Sequence, residues 1–284
     1  MKRFINKYLI LNADDLGYNA AQNSAITELY RTGEISSVSA LTVTPYSDAG
    51  ARIACEEKMS VGVHFALTSD EECARWHSVS GAASLEDEKG LYSDGVKLAL
   101  SAKRKDVRKE LQAQYAYLTS RGIKPDYADS HCGTLYGING RRFYKDAFSF
   151  CSDYGIPFRF PKSPEFIVRQ IGRSSRIINS LHAHIVKLAE KYGVMLIDDL
   201  ISNPWRTGAE EALRDYYISA IKELRPGITE IFLHPALPIA NMTPEWQKRV
   251  CEYEILKSGI LRKTAEECGV EIIRRGEIKA LIAK

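Results

Sequence analysis

A single parallel β/α barrel is the fold that the sequence predicts, on three observations. Short apolar runs alternate with longer stretches of helical period, the pattern of βα units around a parallel sheet. The 284 residues exceed the usual single-domain length yet suit one barrel of roughly 250 residues. Polar clusters stand where successive apolar runs end, at the carboxyl edge where barrel proteins build their sites.

Tyr8-Leu9-Ile10-Leu11 reads as the first strand. Val38 to Val43, Val61-Gly62-Val63, a weaker Tyr127-Ala128, Val194 to Ile197, Ile228 to Leu233 and Val270 to Ile273 continue the series, with a further strand at Pro157 to Phe160. Between them, Val107, Leu111, Tyr115 and Leu118 form one helical stripe that stops at Gly122. Thr243-Pro244-Glu245 opens another helix, with a capping threonine and proline at the first helical position, and runs towards Gly259. Residues 68–102 fit the rhythm poorly and read as a loop insertion or lid within one domain spanning residues 1–284. Arg159 to Arg176 reads as a second long loop.

Composition narrows the function classes. The chain is 45% hydrophobic and 26% charged, ordinary for a protein with one substantial core. A net charge of +3, dispersed along the chain, argues against a nucleic-acid partner. The densest basic run, Lys103-Arg104-Lys105, precedes Asp106 and Glu110 at helical spacing and reads as solvated surface. No stretch approaches the roughly 20 apolar residues of a membrane span, and the N-terminus lacks a signal-peptide core. The six cysteines (Cys55, Cys73, Cys132, Cys151, Cys251 and Cys268) contain no C-x-x-C pair and read as reduced thiols of a cytosolic protein.

Four strand ends carry the chemistry. Asn12-Ala13-Asp14-Asp15-Leu16-Gly17 follows the first strand, and two adjacent carboxylates are favoured there only if a cation or a proton separates their roles. One could bind metal while its neighbour acts as base; the competing reading is that one of them caps the helix beginning near Asn19. His64 ends the third strand, and Asp129-Ser130-His131 follows Tyr127-Ala128. A single histidine at a strand end is most often structural, but three ligand-type ends converging on one rim form the set expected for Zn²⁺ or a similar divalent ion. His234-Pro235 ends the Ile228 to Leu233 strand, and a histidine poised near neutrality there can protonate a leaving amine. His77 lies in the insertion, while His182 and His184 are two apart on a helix and cannot share a face. Cys132, beside His131, reads as a buried thiol rather than a soft ligand.

These motifs, in this order and over nearly the full length, resemble the YdjC-like carbohydrate deacetylases, the family containing chitooligosaccharide deacetylase. Glu110-Leu111 with Gln114, then Gly122 and Pro125, and later Arg249 with Glu252 and Glu254, add to the likeness. The resemblance implies a distorted (β/α) barrel in which Asp15, His64 and His131 bind one divalent metal ion, Zn or Mg, Asp14 serves as base and His234 as acid. It further implies a cytoplasmic enzyme that removes acetyl groups from small N-acetylated sugars, as some relatives do as homodimers. In one departure, the family's second histidine, two positions after that matched by His131, is here Gly133. Rival readings of the same residues are another metal-assisted amidase or phosphoesterase, because the ligand set does not name the bond cleaved, and a non-catalytic sugar-binding barrel.

Overall fold

A computed structural model of the chain describes residues 6–70, 74–173, 175–203 and 210–283. In chain order its main elements are β1 (Lys7–Leu16), α1 (Ala20–Thr32), β2 (Ser37–Ala40), α2 (Ser47–Glu56), β3 (Val61–Phe65), β4 (Glu86–Asp87), β5 (Gly90–Leu91), α3 (Gly95–Ser101) and α4 (Arg104–Thr119). There follow β6 (Tyr127–Ser130), α5 (Tyr144–Tyr154), α6 (Glu165–Ile171), α7 (Arg176–Lys191), β7 (Asp199–Ile201), α8 (Glu210–Lys222), β8 (Gly227–Leu233), α9 (Pro244–Lys257), α10 (Ile260–Glu267), β9 (Glu271–Ile272) and α11 (Ile278–Ala283).

The main sheet is parallel throughout and runs β6-β3-β2-β1-β8-β7. β8 lines one edge of β1 from Lys7 to Ala13. The other edge is shared, β9 pairing at Tyr8 and Leu9 and β2 at Asn12, Ala13 and Leu16. The sheet curls into an incomplete barrel. Among the described residues, the gap between β6 and β7 is crossed by isolated bridges, Ala128 with Phe158 and Pro161 with Ile197, which is the distortion expected of the fold.

Two strands read from sequence therefore change. Pro157 to Phe160 forms a bridge but no ladder, because Pro157 and Pro161 flank it without N–H donors. Val194 to Ile197 is buried and extended against this segment but is not a strand; the ladder begins two residues later, where Asp199–Ile201 meets Thr229–Ile231 of β8. The expected long loop from Arg159 to Arg176 also holds α6, entered from Pro164 and closed by left-handed Gly172. Within residues 68–102 lie the β4–β5 hairpin and α3; Glu71, Glu72 and Cys73 fall outside the described residues. The helix expected to end at Gly122 is α4, and that capped by Thr243 is α9, with the Thr243 hydroxyl accepting the Trp246 N–H.

Alternation along β1 separates two environments. Leu9, Leu11 and Ala13 join the large core shared with Ala25, Ile26 and Leu29 of α1. Tyr8 and Ile10 face the other way, into a small cluster with Ile197, Leu200, Ile228, Ile273 and Ile278 that floors the barrel interior. Above that floor the interior turns polar. The buried Arg275 lies against Glu230 through its Nε at 2.6 Å and over the Tyr127 ring at 4.5 Å. Gly62 lets that ring cross the barrel: a Cβ at this position would sit 2.1 Å from Tyr127 Cε2. Burying such groups is costly unless each is paired, and Tyr127 Oη is, its single proton shared between two acceptors, Asn12 Oδ1 at 2.5 Å and the Val38 carbonyl at 2.7 Å.

Candidate active site

The site sits on this polar layer, at the carboxyl ends of β1, β3, β6 and β8. In a regular strand Asp14 and Asp15 would point to opposite faces. Here the register of β1 against β2 shifts between Ala13 and Leu16, and Asp15 has φ +69°, a left-handed conformation that non-glycine residues seldom adopt. The irregularity turns both carboxylates towards His64, whose Nε2 is 3.2 Å from Asp15 Oδ1 and 3.9 Å from Asp14 Oδ2. Neither aspartate caps α1; Asn19 does, accepting the Gln22 N–H.

His131, just past β6, brings Nδ1 to 3.4 Å from the same Asp15 oxygen. Asp15, His64 and His131 thus offer one ligand atom each within a 4.8 Å cluster, all buried. Asp15 Oδ1 has no hydrogen-bond partner, a costly condition for a buried carboxylate oxygen. A divalent cation shared with the two imidazoles fits the atom and the donor set.

Each ligand is held from behind. Arg249 donates to Asp15 Oδ2 at 2.8 Å, leaving Oδ1 facing the imidazoles. His64 Nδ1 is 2.5 Å from Asp129 Oδ1, so a proton on Nδ1 leaves the Nε2 lone pair facing Asp15. His131 Nε2 is 2.8 Å from Asp70 Oδ1, and the Trp76 ring lies against its imidazole at 5.4 Å. Burial alone would raise the Asp15 carboxyl, but His131, His64 and Arg249 hold it well below the usual range.

Asp14 has a different surrounding. Arg159 grips it with both terminal nitrogens, at 2.6 and 2.8 Å, and the Asn12 amide donates to it at 2.7 Å. Against the upward push of burial, Arg159, His64 and His234 bring Asp14 down to about 2. Arg159 also lies 3.2 Å from Glu230 and 3.5 Å from Asp129, joining the site to the network beneath it. His234 places Nε2 3.8 Å from Asp14 Oδ2. Its backbone N–H donates to Glu252 Oε2 at 2.6 Å, and Tyr217 donates to the other oxygen of Glu252. The sequence suggests a histidine poised near neutrality; burial instead pushes His234 down to about 4, so the resting imidazole is neutral.

Glu110 and Gln114, legible only through family likeness, support the exit of β3. Gln114 Oε1 accepts the Ala66 N–H at 3.0 Å and its Nε2 donates to the Ala66 carbonyl at 2.7 Å, two residues beyond His64. Glu110 accepts the N–H groups of Val79 and Ser80, each at 2.9 Å, tying residues 68–102 to α4. Cys132 differs from the expected buried thiol: with φ +49° it leaves the strand direction and is exposed, Sγ 3.7 Å from Asp70 Oδ1. Gly133 is left-handed too, and a Cβ there would come within 3.1 Å of Ile138 and 3.2 Å of Tyr136. A histidine at this position would need these neighbours to shift.

His77 is exposed, as is His184, and His182 is buried against the Pro161 carbonyl at 3.0 Å, all away from the cluster. Sequence reasoning missed Arg159, Asp70, Trp76, Glu230 and Arg275. A signal existed for Arg159: one charge between Phe158 and Phe160 in a proline-bounded apolar run marks a charge facing inward. Asp70 carried none beyond standing six residues past His64.

The sequence model of the family described as YdjC-like protein matches residues 8–267. A carbohydrate deacetylase of Geobacillus stearothermophilus is 26% identical over 280 residues, covering 97% of this chain and 99% of the relative. A chitooligosaccharide deacetylase of Proteus mirabilis is 32% identical over 126 residues, 43% of this chain and 48% of the relative. The crystal structure of an Enterococcus faecalis protein aligns at a TM-score of 0.75 and 22% identity over 96% of this chain and 99% of the other, a likeness of fold. With residues 8–267, most of its 284, matched by the family's model, this chain belongs to the YdjC-like family.

Proposed function

We propose that this chain is a metal-dependent carbohydrate deacetylase that removes N-acetyl groups from small amino-sugar substrates. The observation that carries the reading is the unpartnered Asp15 Oδ1 between His64 Nε2 and His131 Nδ1, with Asp14 and His234 beside it, in a YdjC-like chain similar to carbohydrate deacetylases. Asp15, His64 and His131 would hold the ion, zinc by its liking for imidazole or magnesium with added waters. When bound, the ion polarises the acetamide carbonyl and lowers the pKa of a water beside it.

The remaining steps belong to this chain's own groups. Asp14, kept ionised and oriented by Arg159, accepts the proton of the attacking water. His234, 3.8 Å away, passes a proton to the departing sugar amine. Because burial keeps His234 neutral at rest, the proton it delivers to the amine is one it first takes up during turnover. Water and the N-acetyl sugar become acetate and a free amino sugar. Asp70 and Trp76 against His131 support residues 68–102 as a lid over the pocket of one catalytic domain.

No helix among the described residues is long and apolar enough to cross a membrane. A cytoplasmic location and a homodimer, expected from the family resemblance, go with this reading. Acetate release from N-acetylated mono- and disaccharides, assayed with Zn²⁺, Mg²⁺, Mn²⁺ and Co²⁺ alongside phosphate esters, tests it. Turnover of phosphate esters alone would move the chain to a phosphoesterase class. Sugar binding without turnover under any metal would make it a binding protein.

A further inference from the structure

We propose a second, softer metal site at the mouth of the barrel, formed by Asp70, His131 and Cys132, which competes with the inner set for His131. The three residues bring a carboxylate oxygen, an imidazole nitrogen and a thiol sulfur within 4.8 Å of one another. His131 Nε2 is 2.8 Å from Asp70 Oδ1, and Cys132 Sγ is 3.7 Å from that same oxygen. Successive left-handed residues, Cys132 at φ +49° and Gly133 at φ +62°, accompany the turn that leaves the thiol exposed beside Asp70 instead of buried behind the strand. Oxygen, nitrogen and sulfur donors together suit Zn²⁺ or Cd²⁺ and are a poor match for Mg²⁺.

The two sets use opposite nitrogens of one ring. In the inner set His131 presents Nδ1 to Asp15, at 3.4 Å, while Nε2 faces Asp70 at 2.8 Å. An ion in the outer set would use Nε2 and one in the inner set Nδ1, and a neutral imidazole has one free lone pair, so the two sets draw on the same donor. Cys132 binds as thiolate, its proton leaving to solvent. A soft ion in excess thereby strips the inner set to Asp15 and His64. This step rests on the inner-set assignment made above; occupancy of the outer set itself does not.

The test loads the full chain with one equivalent of Zn²⁺ and titrates it with Cd²⁺, following the ultraviolet thiolate-to-cadmium charge-transfer band and zinc release into dialysate. The expected result is a band that saturates at one equivalent and is accompanied by zinc release. Cys132→Ser should lose the band while keeping its zinc. Asp70→Asn should weaken cadmium binding by about tenfold or more. Cys73→Ser, three residues along the chain from Asp70, should keep the band. A band unchanged in Cys132→Ser overturns the site, and equal cadmium affinity in Asp70→Asn reduces it to a bare thiol. A Cys132-dependent band without zinc release would retain the outer site and overturn the competition. Because the band is read without substrate, its outcome is separate from that of the deacetylase assay.

Discussion

Asp129 Oδ1 stands 2.5 Å from His64 Nδ1, and this contact decides which nitrogen of His64 faces Asp15. Asp129 Oδ2 is surrounded by donors, Ser39 Oγ at 2.5 Å and Arg159 at 3.5 Å. In Asp129→Asn the amide oxygen would take that position and the amide NH₂ would face His64. The ring would then carry its proton on Nε2, pointing at the ion site. Metal affinity should fall by about 10–100-fold with the melting temperature little changed, as read by calorimetric titration beside a thermal melt. Undiminished affinity would remove Asp129 from its proposed role.

The inner ligands make a plainer prediction. His64→Ala and His131→Ala should each lose most bound metal by elemental analysis yet remain folded, because both rings lie on the polar side of their strand ends, outside the apolar core. Full occupancy in both variants would reject the site.

Gln114→Ala should destabilise the protein through the strand it supports. The change leaves the N–H and C=O of Ala66 without their partner, and buried backbone groups so stranded cost about 1–3 kcal/mol each. Urea unfolding should show that loss, together with a lower metal affinity because His64 lies two residues upstream. A loss of stability with wild-type metal affinity would confine Gln114 to the fold.

Much of this was legible in the sequence, for physical reasons. The five clustered residues Asp14, Asp15, His64, His131 and His234 each sit at the end of an apolar run, and a parallel barrel brings such ends to one rim whatever fills the loops. The groups that hold them were not legible. Asp129 was visible only as part of a motif, and Arg159 reaches Asp14 across 145 positions of sequence. Asp70 comes from a segment without periodicity. The displaced strand at Val194 to Ile197 failed for a related reason: apolar composition marks burial, whereas a ladder also needs an unbroken row of donors, and although Phe158 and Lys162 donate to Met195 and Ile197, the Phe160 N–H between them turns back to the Phe158 carbonyl.

Glu252 gives a pH signature in stability. Burial lifts its carboxyl from an ordinary 4.5 to about 7, despite the His234 N–H and the Tyr217 hydroxyl that it accepts. The folded state therefore holds this proton more tightly than the unfolded chain, so its contribution is full below 4.5 and is lost as pH rises through 7. Glu252→Gln, whose amide oxygen can still accept the His234 N–H, should flatten the decline between these limits. Denaturant melts across that range, compared between the two proteins, isolate the effect. Parallel curves would show that the proton does not differ between the folded and unfolded chains.

Arg159 is the most exacting test of the proposed base. Its fork holds both oxygens of Asp14 while its charge offsets Glu230 and Asp129, so the two functions need different substitutions. Arg159→Met removes the charge and leaves three buried carboxylates facing one another, which should cost about 3–5 kcal/mol of stability. Arg159→Lys keeps the charge but replaces the planar fork by a single ammonium. Asp14 should then lose orientation, lowering kcat by about 10²-fold, and its carboxyl should rise from about 2 towards its ordinary 3.8. The sign follows from the depressed pKa: the pairing stabilises the fold above 3.8 and that contribution is lost as pH falls through 2. The acid limb of kcat/KM should accordingly move to higher pH in Arg159→Lys, with bound metal retained. Wild-type turnover and an unmoved acid limb in that variant would show that proton transfer does not run through Asp14.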